Sequence, residues 1–529
     1  MINATLQTLK LTEFFLLRYE TEHVPCTGIT AVTRQERRHF QRGVMIAPWH
    51  ARLDQAKASL AGGAVVDSGL RYSVNIPQLG PTEVVVYQSN DDASIPAVYL
   101  AANDCFHGYP TPYDTPALGT DSLIFGLLVA ELLRLADARG QWVSGADWQS
   151  VPALHLLRSR YPTLLVLHNC FDAYLADQAQ PFAPGYSVFC RGETALCVGL
   201  READAATVVN QGFAIGLTQN PLHRLVTAHH LQHLIPRLVG VDNAAFSPLS
   251  AQQEHLLSEL LKEDGTSGFE ELRRLKHAAF SDLPAELQRM AKDRIVIVSM
   301  GRRSAQKQHD VLVESLRDLL RAERQLPIIA VFATTAGAPG AAERQARIEG
   351  LREEFRDHVF CVSGHISYYS ALVTAADFNV MCSLWEPHGA AFEGLMVPIA
   401  RAVDGLLAQV SAFEPSGIAK SLNGQCHPGC APSGFLFHEE ADASDAVMKE
   451  QYEALLNESP SPNNQFFQSI VASLSNTLRR AIDIRRHHED VYANLVRGAL
   501  LQQKAWSWKE NFAMQLALVR DARNRRRGV

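Results

Sequence analysis

Short apolar runs alternate along the chain with segments whose apolar residues recur every three or four positions, the pattern of buried parallel strands covered by amphipathic helices. Residues 13–19 (Glu-Phe-Phe-Leu-Leu-Arg-Tyr) predict a first strand, which leads through Pro25-Cys26-Thr27-Gly28-Ile29-Thr30 into a helix. Strands are expected at 83–88 and 97–101, a helix over 122–135, and another starting at Gly145-Ala146-Asp147 and running to about 158. Thr163-Leu164-Leu165-Val166-Leu167 reads as a continuous buried strand ending at His168-Asn169, and a further strand ends at Ala206–Asn210. After the prolines at 236 and 248 the pattern starts again. A polar helical segment over about 250–290 precedes strands at 294–299, 327–334, 358–363 and 378–382, with helices at 310–323, up to about 356, and at 368–376. Ser433–Phe437 is the last strand candidate, and the tail from about 465 is helical.

This pattern predicts two successive doubly wound α/β domains, residues 1–240 and 241–490, and a helical segment 491–529 returning towards the first. No short-period repeat is present. Open α/β sheets bind ligands beyond the carboxyl ends of their strands. Two such domains facing one another would enclose a cleft, with His168, Arg302, Lys307 and Glu386 at strand ends.

Composition narrows the class. The 529 residues are 47% hydrophobic and 20% charged, with a net charge of −7, which suits a soluble globular protein and argues against a general nucleic-acid binder. The basic run Arg523-Asn524-Arg525-Arg526-Arg527 reads as a solvated terminus, with a docking patch for an anion as the alternative. The nine cysteines are scattered, Cys361 and Cys382 inside apolar runs, as in a reduced protein. Cys426-His427-Pro428-Gly429-Cys430 lacks a second ligand pair with zinc spacing and reads as a loop. His229, His230 and His233 lack a carboxylate motif such as HExxH and read as surface or interface histidines. No apolar run reaches membrane-spanning length and no secretory leader precedes the first strand, so the expected compartment is the cytosol.

The chemistry concentrates at Met381-Cys382-Ser383-Leu384-Trp385-Glu386-Pro387-His388-Gly389, read as a strand end, a tight turn and a helix starting near Ala390. A carboxylate at a strand exit accepts sugar hydroxyls, and amides at a helix N-terminus favour a phosphate. The competing reading is an ordinary strand-to-helix loop.

Several stretches, in order along the chain, resemble the bacterial glycogen synthase and starch synthase family of glycosyltransferases. Val98-Tyr99-Leu100 with Thr111-Pro112-Tyr113-Asp114, and Asp147-Trp148 with Pro162-Thr163 and His168-Asn169, are similar to its first half. So are Val239-Gly240-Val241-Asp242 and Phe246-Ser247-Pro248 to its linker. Gly301-Arg302, Gln306-Lys307 and Asp310, then Ala376-Asp377-Phe378, Trp385–Gly389 and Arg401–Leu406, resemble the second half, and Ala505–Trp508 the close.

The resemblance implies a GT-B architecture and a retaining transfer of glucose from a nucleotide sugar such as ADP-glucose to a glucan or other hydroxyl acceptor. It implies no metal and no cofactor, and leaves an oligomer open. Carried over by position, Arg302 and Lys307 would stabilise the departing diphosphate, Glu386 would hold sugar hydroxyls, and His168 would lie at the reacting face. Gly389, Ala390, Ala391 and Gly28 would approach the donor, His365 would stack on its base, and Tyr113, Asp147 and Asn169 would line the acceptor and sugar side. The chain also departs from the family. The first loop lacks the family's lysine, one of its glycines is threonine, and its aspartate falls on Ala31. The polar family stretch at 207–210 is Thr-Val-Val-Asn, the helix after Gly389 is about one turn shorter, and Glu393 follows Glu386 by seven residues where related transferases space two glutamates by eight. An active transferase with an altered acceptor or donor is one reading. A catalytically silent relative binding nucleotide sugar or glucan as a regulatory or scaffolding module is the other.

Overall fold

The computed structural model describes residues 3–23, 28–103, 105–109, 111–220, 222, 231–244, 249–262, 266–336, 338, 340–364, 366–389, 393–403, 406, 409–410, 432–439, 446–457 and 463–527. The chain divides into two compact units: 1–218 with 226–246 and 507–529, and 219–225 with 247–506.

The first unit is built on strands β1 (Phe14–Leu17), β2 (Gly43–Pro48), β3 (Val65–Ile76), β4 (Gly80–Ser89), β5 (Ala97–Ala102), β6 (Trp142–Ala146), β7 (Thr163–Leu167), β8 (Ala205–Val208) and β9 (Leu238–Gly240). They form one sheet in the order β3-β4-β5-β2-β1-β6-β7-β8-β9. Pairing is parallel except along β3, β4 and β5. The strand order reverses between β1 and β6, the position at which open α/β sheets form a ligand crevice. β1, β2, β6 and β7 are buried at every position, as strands covered on both faces must be. One face is closed by the last helix, Trp508–Arg527. Its Phe512 ring packs 4.4 Å from Phe40 and 5.2 Å from Phe14, which stacks on Trp142 at 4.9 Å. Such aromatic pairs add roughly 0.5–1.5 kcal/mol each beyond their buried area.

The second unit carries β10 (Ile295–Arg302), β11 (Ile328–Thr335), β12 (Val359–Ser363), β13 (Phe378–Met381), β14 (Val397–Arg401) and β15 (Phe435–Phe437). This sheet is parallel throughout, ordered β12-β11-β10-β13-β14-β15, and reverses between β10 and β13. Helix His309–Ala322 covers it together with Gln465–His487, and Ser315 donates to the Val471 carbonyl at 3.1 Å.

Three expectations are corrected. Gly145 and Ala146 close β6 rather than open a helix, which starts only at Val151 after a short turn at Trp148–Ser150. The polar segment before β10 is three helices, Ala251–Leu260, Thr266–Ser281 and Ala285–Ala291. No helix is present at 393–396: these residues are loop and turn, and the apolar run that follows is β14. Strands β2, β3, β9 and β14 had no counterpart in the apolar pattern as read from sequence.

Candidate functional site

In the second unit, two loops leave the sheet on either side of its reversal point. β10 ends at Gly301 (φ +124°) and Arg302, and residues 303–308 turn back into the helix starting at His309. β13 ends at Met381 and is followed by Cys382–Gly389. A Lys307–Glu386 ion pair of 2.5 Å joins them, with the lysine side chain 22% and the glutamate side chain 8% exposed. The same Glu386 oxygen accepts from Ser383 Oγ at 2.9 Å. The backbones are also tied: Leu384 N donates to the Gln306 carbonyl at 2.8 Å, and Gln306 Nε2 to the Trp385 carbonyl at 3.3 Å.

The Glu386 loop is held from behind by residues that the sequence reading left without a role. Arg401, buried on β14, donates to the carbonyls of Ser383 (3.3 Å) and Leu384 (2.8 Å), and is itself fixed by Glu439 at 2.7 Å. Tyr452 also donates to the Leu384 carbonyl, at 3.2 Å, and Gln409 Nε2 donates to the His388 carbonyl. Burial lowers His388 to about 3, so its ring is neutral at pH 7. Gly389 has φ +69°, and a β-carbon there would lie 2.5 Å from Leu406 Cδ2 and 2.8 Å from Glu386 Cγ; only glycine fits.

Arg302 is exposed at the end of β10, and its side chain makes no hydrogen bond or ion pair among the described residues. Buried Asp310, in the first turn of the following helix, is met by Arg344 at 3.5 Å and Arg347 at 3.8 Å. Glu393 lies in a recess with Leu395 and Met396 against Val496, Ala499 and Leu500 of helix Glu489–Ala505. Burial raises its carboxyl to about 8. His365, Ala390 and Ala391, the loop 24–27, His229, His230 and the Cys426–Cys430 run lie outside the described residues. Gly28 begins helix Gly28–His39.

The first unit has a corresponding arrangement at its own reversal point. Asp147 follows β6 with φ +52°, 4% exposed. It accepts from the backbone amides of His168 (2.8 Å) and Asn169 (3.3 Å) and from Asn169 Nδ2 (3.3 Å). Burial raises its carboxyl to about 7 against the pull of those amides, and the nearby Glu20 charge adds to the rise. Glu20, on the segment leaving β1, accepts from the Tyr113 hydroxyl, whose pKa is pushed up by burial and by that carboxylate. Tyr113 lies against Tyr19 at 6.2 Å. Asp147, His168, Asn169 and Tyr113 thus fall at one crevice, and Glu20 joins them; its signal in the sequence is a carboxylate three residues beyond the apolar run 14–17. Beneath them, Arg18 and Glu36 form an ion pair of 2.6 Å, with 0% and 2% of their side chains exposed.

The described residues hold no group of three or more His, Cys, Asp or Glu placed to bind a metal, and no helix among them is long and apolar enough to cross a membrane. The six cysteines described are free thiols. No protein-family model and no curated protein matches the sequence. Solved structures match the fold. The catalytic domain of starch synthase IV from Arabidopsis thaliana, bound to ADP and acarbose, aligns over 97% of this chain and 99% of its own, with a TM-score of 0.68 at 15% identity. The N-terminal domain of Candida albicans trehalose-6-phosphate phosphatase aligns over 96% and 98%, with a TM-score of 0.53 at 12% identity. The fold is therefore that of GT-B proteins, with a helical C-terminal region.

Proposed function

We propose that this protein is a retaining glycosyltransferase that moves a hexosyl group, glucose in the first instance, from a nucleotide sugar to a hydroxyl of a glucan or comparable acceptor. The observation that carries the reading is the Lys307–Glu386 pair at the reversal point of the second sheet, in a chain whose fold follows a starch synthase over nearly its whole length. That neighbour was solved with ADP and acarbose, the two classes of ligand that the proposal needs.

In the proposed step, the bond between the anomeric carbon and the diphosphate oxygen breaks, and the acceptor oxygen bonds to that carbon from the same face. The acceptor's proton passes to the departing phosphate oxygen. Negative charge builds on the diphosphate as the bond lengthens, and fixed cations stabilise it most in the transition state. Lys307 and Arg302 take that role. Glu386 exchanges its lysine contact for sugar hydroxyls as Lys307 turns to phosphate. Asp147 holds the His168 and Asn169 amides, and so positions the His168 ring; it is not a nucleophile.

The second reading, a silent nucleotide-sugar or glucan-binding module, is favoured by the missing lysine in the first loop. Incubating the full chain with a panel of nucleotide sugars and a glucan separates the two. Nucleoside diphosphate released in step with glycan growth supports the enzyme, with Lys307→Ala and Arg302→Ala each lowering kcat at least a hundredfold while the fold is kept. Binding without release supports the module, and undiminished turnover in both variants removes these residues from the mechanism.

A further inference from the structure

Arg303 is a buried charge that neither reading above uses. It is 7% exposed and follows Arg302 directly out of β10. Its Nη1 donates to Thr334 Oγ1 at 3.0 Å, to the Thr334 carbonyl at 3.5 Å and to Ser363 Oγ at 3.1 Å. Thr334 lies near the carboxyl end of β11 and Ser363 ends β12, so the guanidinium spans the carboxyl ends of three adjacent parallel strands. All of those partners are neutral.

No carboxylate among the described residues lies within ion-pair distance of Arg303. Two acidic residues, one on the neighbouring loop and one in the helix that follows, are engaged elsewhere: Glu386 with Lys307, and Asp310 with Arg344 and Arg347. Arg303 Nε is buried with no hydrogen-bond acceptor, and Nη2 makes no hydrogen bond among the described residues. The local field is positive, since burial together with Lys307, Arg303 and Arg344 lowers His309 to about 4. Burying a guanidinium without a counter-ion is costly to the free protein. The edge without a hydrogen-bond partner, Nε with Nη2, is the fork that grips two oxygens of a phosphate or carboxylate side by side.

We propose that Arg303 is a specificity-determining residue that takes an oxyanion of the donor through this fork, a cationic contact additional to Arg302 and Lys307. This rests on the reading of the second unit as a nucleotide-sugar site. The oxyanion has two sources, a phosphate of the donor or a carboxylate on its sugar, and the test separates them.

Arg303→Met keeps the bulk and removes the charge; Arg303→Lys keeps the charge and removes the fork. Binding to the full-length protein is measured by calorimetry for pyrophosphate, ADP, adenosine, UDP-glucose and UDP-glucuronate, with Tm of the free protein alongside. A fall of tenfold or more in pyrophosphate and ADP affinity in Arg303→Met, with a smaller fall in Arg303→Lys, assigns a phosphate. A tenfold fall confined to UDP-glucuronate assigns a sugar carboxylate. In both cases the free Arg303→Met protein melts no lower than the parent, because an unpaired buried charge has been removed. Unchanged affinities for all four anions in both variants, or a Tm drop of several degrees with affinities intact, would show a structural role and overturn the proposal. Arg303-dependent pyrophosphate binding without binding of any nucleotide sugar would sink the transferase reading and leave this one standing. Nucleotide-sugar binding that needs Lys307 but not Arg303 would do the reverse.

Discussion

Asp147 offers a sharp test of the first unit's crevice, because its environment ties stability to pH. Its ordinary value is 3.8 and burial lifts it to about 7, with Glu20 adding to the rise. Between those values the native state holds a proton that the unfolded chain has lost, so stability falls as pH rises. The contribution is complete below pH 3.8 and gone above about 7. From pH 5 to pH 8 the loss is close to 1.36 × (7 − 5), or about 3 kcal/mol. Asp147→Asn does not titrate. Its oxygen can still accept from the His168 and Asn169 amides, while its new NH2 faces Asn169 Nδ2, a cost that does not vary with pH. The stability difference between parent and variant should therefore shift by about 3 kcal/mol over this range, the parent losing ground as pH rises. Hydrogen exchange on peptides covering Trp142–Leu167 reports the first unit separately from the second, and comparison at equal pH cancels the intrinsic exchange rate. A gap that stays constant from pH 5 to pH 8 refutes the assignment of a proton to Asp147 in the folded protein.

Two further substitutions probe the loops of the second unit. Gly389→Ala places a β-carbon at φ +69° within 2.5 Å of Leu406, costing about 2–5 kcal/mol from backbone strain and overpacking together, and displaces Glu386; an unchanged denaturation profile with unchanged ligand binding would count against this geometry. Gln308 sits at φ +46° and ψ +46° and is fully buried, its Nε2 donating to the Ala305 carbonyl at 2.8 Å. Glycine and alanine at this position lose the same side-chain contacts, but only glycine relieves the strain, so Gln308→Gly should be more stable than Gln308→Ala by about 1 kcal/mol in urea unfolding. Equal stability of the two would show that the left-handed backbone there is unstrained.

Much of the architecture is visible in hydrophobic runs, and its gaps have physical causes. Thr163–Leu167 is apolar, β-branched and bounded by turns, and is observed with the same limits. β3 carries no clear period because one face is solvated and a bulge between Asp67 and Leu70 breaks its alternation. β9 is three residues long, too short for any period. β14 leaves no distinct signal, because burial on both faces makes Val397–Arg401 look alike as strand or helix. At the site, charged residues leaving a strand were legible; which partner each one meets was not. Glu386 reaches Lys307 across 79 positions and Tyr113 reaches Glu20 across 93, and no local pattern encodes such pairings.

The charges at the end of β10 bear on where a donor phosphate would be met at the proposed site. A helix N-terminus supplies roughly half a positive charge, spread over backbone amides and lost within a turn. Lys307 is neutralised by Glu386 until a ligand separates them. Arg302, exposed, and Arg303, buried, remain as full charges without a carboxylate, both at the end of β10. Guanidinium recognition depends on a fork rather than a dipole, so it discriminates among oxyanion geometries more strongly than amides would. For the proposed donor site, the expected consequence is a narrower donor range.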